Sequence, residues 1–269
     1  MILSRVIEHV KQQHWTAVSL DFVIVVLGVF IGMQVSNWNQ FATDRRTETE
    51  YLRQLQSDLD NIRAEIDAQI EFEKFHANLA SEVFNLISND TSDDRALKIN
   101  IGLSELTVRR TLRTQSPTFL DLQGSGKLEL ISDPALRAAI ISYFFGTSRL
   151  EAALDKNNAF FVDQMFDEFV VSRRIPPRNW DSNLMNMQLP PSATVLSEFK
   201  ETAGKSPLYA AGGAVLAAPK DAEIWEEIVP YLAWRGSISL SNESLAQRLR
   251  TATEQLEAIL ASRLERNAP

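Results

Sequence analysis

Apolar positions along this chain fall into three regimes. The first is an unbroken run. From Phe22 to Val35 the only strongly polar side chain is Gln34, and milder residues extend the run from Trp15 to Trp38. About 20 apolar residues rising about 1.5 Å each cross a hydrocarbon layer of roughly 30 Å, so this pattern predicts a membrane-spanning helix over 15–38. Trp15 and Trp38 stand at its ends, where amphipathic rings favour the two water-lipid boundaries. A buried core helix and a cleaved signal peptide are the competing readings. An apolar surface on all sides argues against the first. The segment S-N-W-N-Q-F-A-T after the run has no small-residue cleavage site, which argues against the second.

The second regime is three-four spacing. Leu52, Leu55, Leu59, Ile62 and Ile66 predict the buried seam of a helix from about Thr43 to Ser88. Beyond Ile66 the apolar register slips to Ile70, Ala77, Ala80 and Phe84, which suggests ordinary bundle packing more than a long two-stranded coil. A helix over Asp93 to Arg113 follows, capped by Thr91 or Ser92. Gly124 and Gly126 break the chain. Asp133 is then a good N-cap with Pro134 in the first helical position, and Leu136, Ile140 and Phe144 form the buried stripe. Another helix, Thr147 to about Ser172, carries Leu150, Leu154, Phe160, Phe161 and Phe169. Near the C-terminus, Ile238, Leu245, Leu249, Ala252, Leu256, Leu260 and Leu264 hold one seam, with a break or kink expected at Pro230.

The third regime has no period. From Arg173 to Pro207 the chain carries Pro176, Pro177, Pro190, Pro191 and Pro207 and reads as an irregular connection with a short helix near Thr194 to Thr202. A connection of that length is a candidate partner or lid segment. Periodicity does not decide whether the following Y-A-A-G-G-A-V-L-A-A is helix or strand.

The fold class expected is therefore all-α: an N-terminal transmembrane helix followed by an antiparallel helical bundle with a Pro-rich irregular connection. Its segments are a short cytoplasmic tail (1–14), the transmembrane helix (15–38), the first part of the bundle (39–172), the Pro-rich connection (173–219) and C-terminal helices packing on the bundle (220–269).

One stripe of the apolar helix is distinctive. Asp21, Val25, Gly28, Gly32, Val35 and Asn39 share a narrow face, and Gly28-V-F-I-Gly32 is a G-x-x-x-G pair that lets two backbones approach closely. Asp21, Gly28 and Gly32 are thus the candidate residues for homo-oligomerisation through the anchor. In the other reading, Asp21 reaches headgroup water and the glycines are incidental. Orientation is close to a tie on Lys and Arg, with Arg5 and Lys11 before the span and Arg45, Arg46 and Arg53 after it. A short tail ahead of an apolar run favours a cytoplasmic tail and a periplasmic domain.

Composition narrows the chemistry. A net charge of -8 and a pI near 5.1 argue against a nucleic-acid partner. Without Cys there is no disulfide, thiolate nucleophile or Cys-ligated zinc. His9 and His14 lie in the tail, leaving His76 as the one histidine of the domain. Glu73 and His76 form an E-x-x-H pair, but a two-iron bundle needs a second pair, and none is present, so His76 is read as a surface or interhelix residue. G-x-S-x-G, H-E-x-x-H and P-loop patterns are absent, and Arg109, Arg110 and Arg113 read as a solvated helix face. No catalytic, cofactor-binding or metal residue is expected, and no enzyme.

Two stretches carry a resemblance. The segments V-L-G-V-F-I-G-M-Q-V-S-N-W-N-Q with Y-L-R-Q-L-Q-S-D-L, and S-G-K-L-E-L-I-S-D-P-A-L-R-A-A-I-I-S-Y-F, are similar to an uncharacterised family of bacterial single-pass membrane proteins. That family carries a G-x-x-x-x-Q-x-x-N-W-N-E signature after its anchor, with Gln40 here in place of the usual Glu. The resemblance covers the first sixty residues well, the middle moderately and the Pro-rich part hardly at all. It implies a bacterial inner-membrane location and a helical extramembrane domain, and it transfers no active site. The function expected is a membrane-anchored, non-enzymatic interaction or scaffolding domain, with the lipid bilayer and an unknown protein as partners. The alternative is an extracytoplasmic ligand-sensing bundle that signals through a partner.

Overall fold

The computed structural model describes residues 15–175 and 214–266, with side chains from Phe22 onward in the first span. These residues are helical or irregular, with no strand among them. The elements are α1 (Trp15–Asn89), α2 (Arg95–Leu106), α3 (Pro117–Gly124), a 3-10 turn (Lys127–Leu130), α4 (Pro134–Asn157), a π-helical stretch (Asn158–Asp167), α5 (Glu168–Ser172), α6 (Ala214–Ala217) and α7 (Ile224–Arg266).

The apolar run and the first bundle helix are one helix. α1 has 75 residues, about 110 Å at the usual rise, and contains no Pro. No break falls near Thr43, where a separate helix was expected to begin. From Phe22 to Ala42 every side chain is exposed, and Glu48 is the first buried one. This one helix is long and apolar enough to cross a membrane.

Above that point α1 lies antiparallel to α7. Glu48 faces Arg263, Arg63 pairs with Glu257, Asp67 with Arg250, and Ala80 meets Gly236. On α1 the buried seam is Glu48, Leu52, Leu55, Leu59, Ile62, Ile66, Gln69, Glu73, His76, Ala80 and Val83. On α7 it is Trp225, Ile228, Leu232, Arg235, Ser239, Asn242, Ala246, Leu249, Thr253, Leu256 and Leu260. Both alternate steps of three and four without interruption, which is the heptad spacing of two helices packed along their length. After Ile66 the apolar register adds a second stripe beside this seam instead of replacing it: Ile70, Ala77 and Ala80 are buried as expected. The seam continues through Gln69, Glu73 and His76, polar residues that an apolar count passes over, and Phe84 is left 45% exposed. α7 also runs through Pro230 without the break expected there, the proline forgoing the backbone bond to Glu226.

The shorter elements complete two cores. Toward the anchor, Leu52 to Ile70 and Ala246 to Leu260 pack with Leu112, Phe119, Leu122, Leu136, Ile140 and Phe144. Away from it, Phe75 to Val83 packs with Ile99, Leu103, Phe166, Phe169, Trp225 and Ile228. As expected, the Asp133 carboxylate caps α4 by accepting from the Ala135 and Leu136 amides, Pro134 opens the helix, and Leu136, Ile140 and Phe144 are buried. Gly126 takes the left-handed φ of 71° that the turn before the 3-10 segment needs.

Elsewhere the boundaries move. α4, the π stretch and α5 form one uninterrupted run from Pro134 to Ser172, not a helix newly started at Thr147. Phe160 on it is half exposed. Neither Thr91 nor Ser92 supplies a side-chain cap to α2. Its N-cap is Asp94, and Ser92 Oγ instead donates to Asp94. α2 stops at Leu106 instead of Arg113, and the chain from 108 to 116 is not helical. There Leu112, Thr114 and Ser116 are buried while 111, 113 and 115 are exposed, a period of two. Most of the Pro-rich connection, including the short helix expected near Thr194, lies outside the described residues, as does the tail 1–14.

Candidate functional site

The polar seam positions of α1 and α7 fall at the same height, between the two apolar cores. Arg235 is the centre of this layer and is 1% exposed. Its Nε donates to the Leu106 carbonyl at 2.7 Å, its Nη2 to the Val108 carbonyl at 3.1 Å, and its Nη1 to Ser239 Oγ. The guanidinium therefore closes the C-terminal end of α2, where bare carbonyls attract a cation.

Two carboxylates, Glu73 and Glu105, balance that cation, and both are buried. Burial draws the Arg235 pKa down to about 10 against their attraction. Burial likewise raises the Glu73 pKa, opposed by Arg235 and by hydrogen bonds from Ser239, Asn242 and Gln69. Gln69 Nε2 donates to Glu73 Oε1 at 2.8 Å, and Asn242 Nδ2 donates to the same oxygen at 3.1 Å.

The π stretch joins from the third side. Asn157 Nδ2 donates to Asn242 Oδ1 at 2.8 Å, and Asn242 Nδ2 also reaches Asn158 Oδ1 at 3.2 Å. Asn158 Nδ2 in turn donates to the Arg110 carbonyl at 3.0 Å. Two consecutive residues thus meet the same amide, just where the helix widens from α to π, a local change often associated with function.

His76 is fully buried. Its Nδ1 lies 2.8 Å from the Phe72 carbonyl, so that nitrogen carries the proton, and Nε2 lies 4.0 Å from Glu105. His76 is an interhelix residue and not a surface one. Among the described residues no group of three His, Asp or Glu side chains is placed to hold a metal ion. What the layer supplies chemically is a buried cation held between carboxylates, with a network of amides fixing the register of α1 on α7.

The residues singled out from sequence lie elsewhere. Trp38 is 76% exposed on α1, close below the first buried position. Trp15 begins the described helix and Asp21 lies within it, but their side chains fall outside the described residues. Gly28 and Gly32 have no atom within 4 Å of a Cβ built on them, so this face of the single chain is open. Arg109, Arg110 and Arg113 do not form a solvated helix face. They leave the extended segment in different directions, to Asp163 at 2.6 Å, Glu65 at 2.6 Å and Asp155 at 3.1 Å.

No protein-family model, curated protein or solved structure matches the chain. The class is therefore defined by fold and site: an all-α protein in which an exposed apolar helix continues into one long arm of an antiparallel helical bundle with a charged layer inside.

Proposed function

We propose that this chain is a single-pass protein of the bacterial inner membrane. Its helical domain, non-enzymatic, binds a protein partner or a second copy of itself close to the bilayer. The observation that carries this reading is the continuity of α1: Phe22 to Ala42 is exposed and largely apolar, and the same helix is buried against α7 from Glu48 onward. Sidedness follows the sequence argument, with the tail cytoplasmic and the domain periplasmic.

A rigid rod of this kind fixes the height of the domain above the lipid. A register-locking polar layer suits a scaffold better than a reaction site, because its charges are spent on backbone carbonyls and on one another. The resemblance of the anchor signature, with Gln40 in place of Glu, is consistent with this role. Gly28 and Gly32 are the proposed contact for self-association, with Asp21 drawn into the same face.

Three measurements test the reading. Full-length protein should stay in the membrane pellet after alkaline carbonate and migrate at its unprocessed length; release into the supernatant refutes anchoring. Crosslinking in membranes should give a discrete stoichiometric adduct, and Gly28→Ile with Gly32→Ile should remove any self-adduct. Turnover of a small molecule by the purified protein would refute the non-enzymatic assignment.

A further inference from the structure

At the foot of the bundle α1, the segment after the 3-10 turn and the end of α7 enclose a cleft of about 590 Å³, within the usual range for small-molecule sites. Its lining includes Phe41, Arg45, Glu48, Glu129, Arg263 and Arg266. Phe41 is one turn past Trp38, and Arg45 and Glu48 follow at about 10 and 15 Å along the axis. If Trp38 marks the lipid boundary, Phe41 lies within the headgroup layer, some 5–8 Å thick on each side, and the charges of the cleft lie just above it, within reach of long side chains. This step rests on the membrane-spanning reading of α1.

The charges in the cleft are sorted. Glu48 is buried and fully engaged: it accepts from the Ser132 amide at 2.9 Å and from Ser132 Oγ at 3.0 Å, and it lies 3.6 Å from Arg263. That pair forms the inner wall and neutralises itself. Arg263 also donates through Nη2 to Ser132 Oγ, yet its Nε–H is buried with no acceptor among the described residues. That nitrogen has no solvent-accessible surface, so the Glu48–Arg263 pair is structural and ligand contacts fall to the exposed charges of the cleft. Arg45 on α1 and Arg266 on α7 add two exposed cations to the lining, and Asp44 and Glu129 add two carboxylates. The cleft therefore offers cations and anions in equal number. It suits a ligand that carries both signs within one small group.

From this we infer that the cleft binds the headgroup of a zwitterionic phospholipid with a primary ammonium, as in phosphatidylethanolamine. The phosphate lies against Arg45 and Arg266, and the ammonium lies against Glu129 and Asp44. A primary ammonium donates hydrogen bonds to carboxylates. A trimethylated one has no N–H, is held best by an aromatic cage, and Phe41 is the only ring in this lining.

The test uses full-length protein reconstituted in nanodiscs of phosphatidylcholine doped with phosphatidylethanolamine or with phosphatidylglycerol, followed by native mass spectrometry of retained lipid. Phosphatidylethanolamine should be retained over both others, and Arg45→Gln with Arg266→Gln should weaken retention about tenfold, the equivalent of one charge-assisted contact. Both residues are exposed, so folding is preserved, which the unchanged far-ultraviolet circular dichroism of the variant verifies. Glu129→Gln with Asp44→Asn should erase the discrimination between ethanolamine and choline lipids while leaving phosphate-dependent retention in place. Preference for phosphatidylglycerol, or equal retention of all three, overturns the proposal while leaving membrane anchoring intact. Failure of the chain to enter nanodiscs overturns both. Soluble glycerophosphoethanolamine carries the same charges without acyl chains, and its displacing the lipid at micromolar concentration would assign the cleft to a soluble ligand instead.

Discussion

Arg235→Met removes the centre of the polar layer while keeping most of the side-chain volume. Arg235 is fully buried and donates to the Leu106 and Val108 carbonyls and to Ser239. Each hydrogen bond from a charged donor is worth about 1.5–3 kcal/mol, and methionine offers none. The substitution also leaves Glu73 and Glu105 buried without their cation. Removing one partner of a buried pair costs about 3–5 kcal/mol, most of it the penalty of the stranded charge. The expected loss is therefore about 3–5 kcal/mol, a fifth or more of the roughly 5–15 kcal/mol net stability of an ordinary domain. Urea denaturation of the full-length protein in detergent micelles reads this directly. Trp225, 4% exposed, and Trp234, stacked on Phe161, report opening of α7 by fluorescence. With a slope of about 2–3 kcal/mol per molar urea, the midpoint should fall by roughly 1–2 M. Adding Glu73→Gln removes one stranded charge, so the double variant should recover about 1–2 kcal/mol of the loss, a coupling within the range for contacting residues. A single-variant loss under about 1 kcal/mol, or strictly additive effects of the two substitutions, would refute the account of Arg235 as a cation held by these carboxylates.

Three further outcomes follow from packing and charge. Because burial raises the Glu73 pKa, its contribution to stability is complete below the ordinary carboxylate value and is lost as pH rises through the folded value. The stability of wild type relative to Glu73→Gln should accordingly fall as pH rises above the ordinary carboxylate range in urea titrations, and a flat difference would contradict the raised pKa. Leu59 is fully buried in the anchor-side core, and Leu59→Ala should cost about 2–5 kcal/mol by the same assay. A Cβ at Gly102 would fall on the Val83 side chain, so Gly102→Val should destabilise the contact of α2 with α1 by about 1–3 kcal/mol; a neutral result would mean that α2 sits farther from α1.

Much of this architecture was legible one residue at a time. The run from Trp15 to Trp38 had to be an apolar helix, because its periodicity left no polar face. Asp133 and Pro134 marked a helix start through local chemistry alone, and Leu52 to Ile66 and Leu249 to Leu260 marked seams by spacing. The polar layer was also present as spacing: Gln69, Glu73 and His76 continue the α1 series, and Arg235, Ser239 and Asn242 continue that of α7. It was missed because a seam is ordinarily recognised by apolar side chains. A polar residue at a seam position reads the same whether it is buried with partners or ends the contact.

What the amino-acid sequence by itself determined is most of the helical segments, the apolar anchor segment and the faces that seek cover, since these depend on interactions within a few residues. Tertiary structure alone decided that α1 continues unbroken from the anchor into the domain, that α2 ends at Leu106, and that Arg109, Arg110 and Arg113 point to three different carboxylates. The physical reason is distance along the chain. The Leu106 carbonyl is closed by a guanidinium 129 residues away, and a partner that remote leaves no mark on local periodicity.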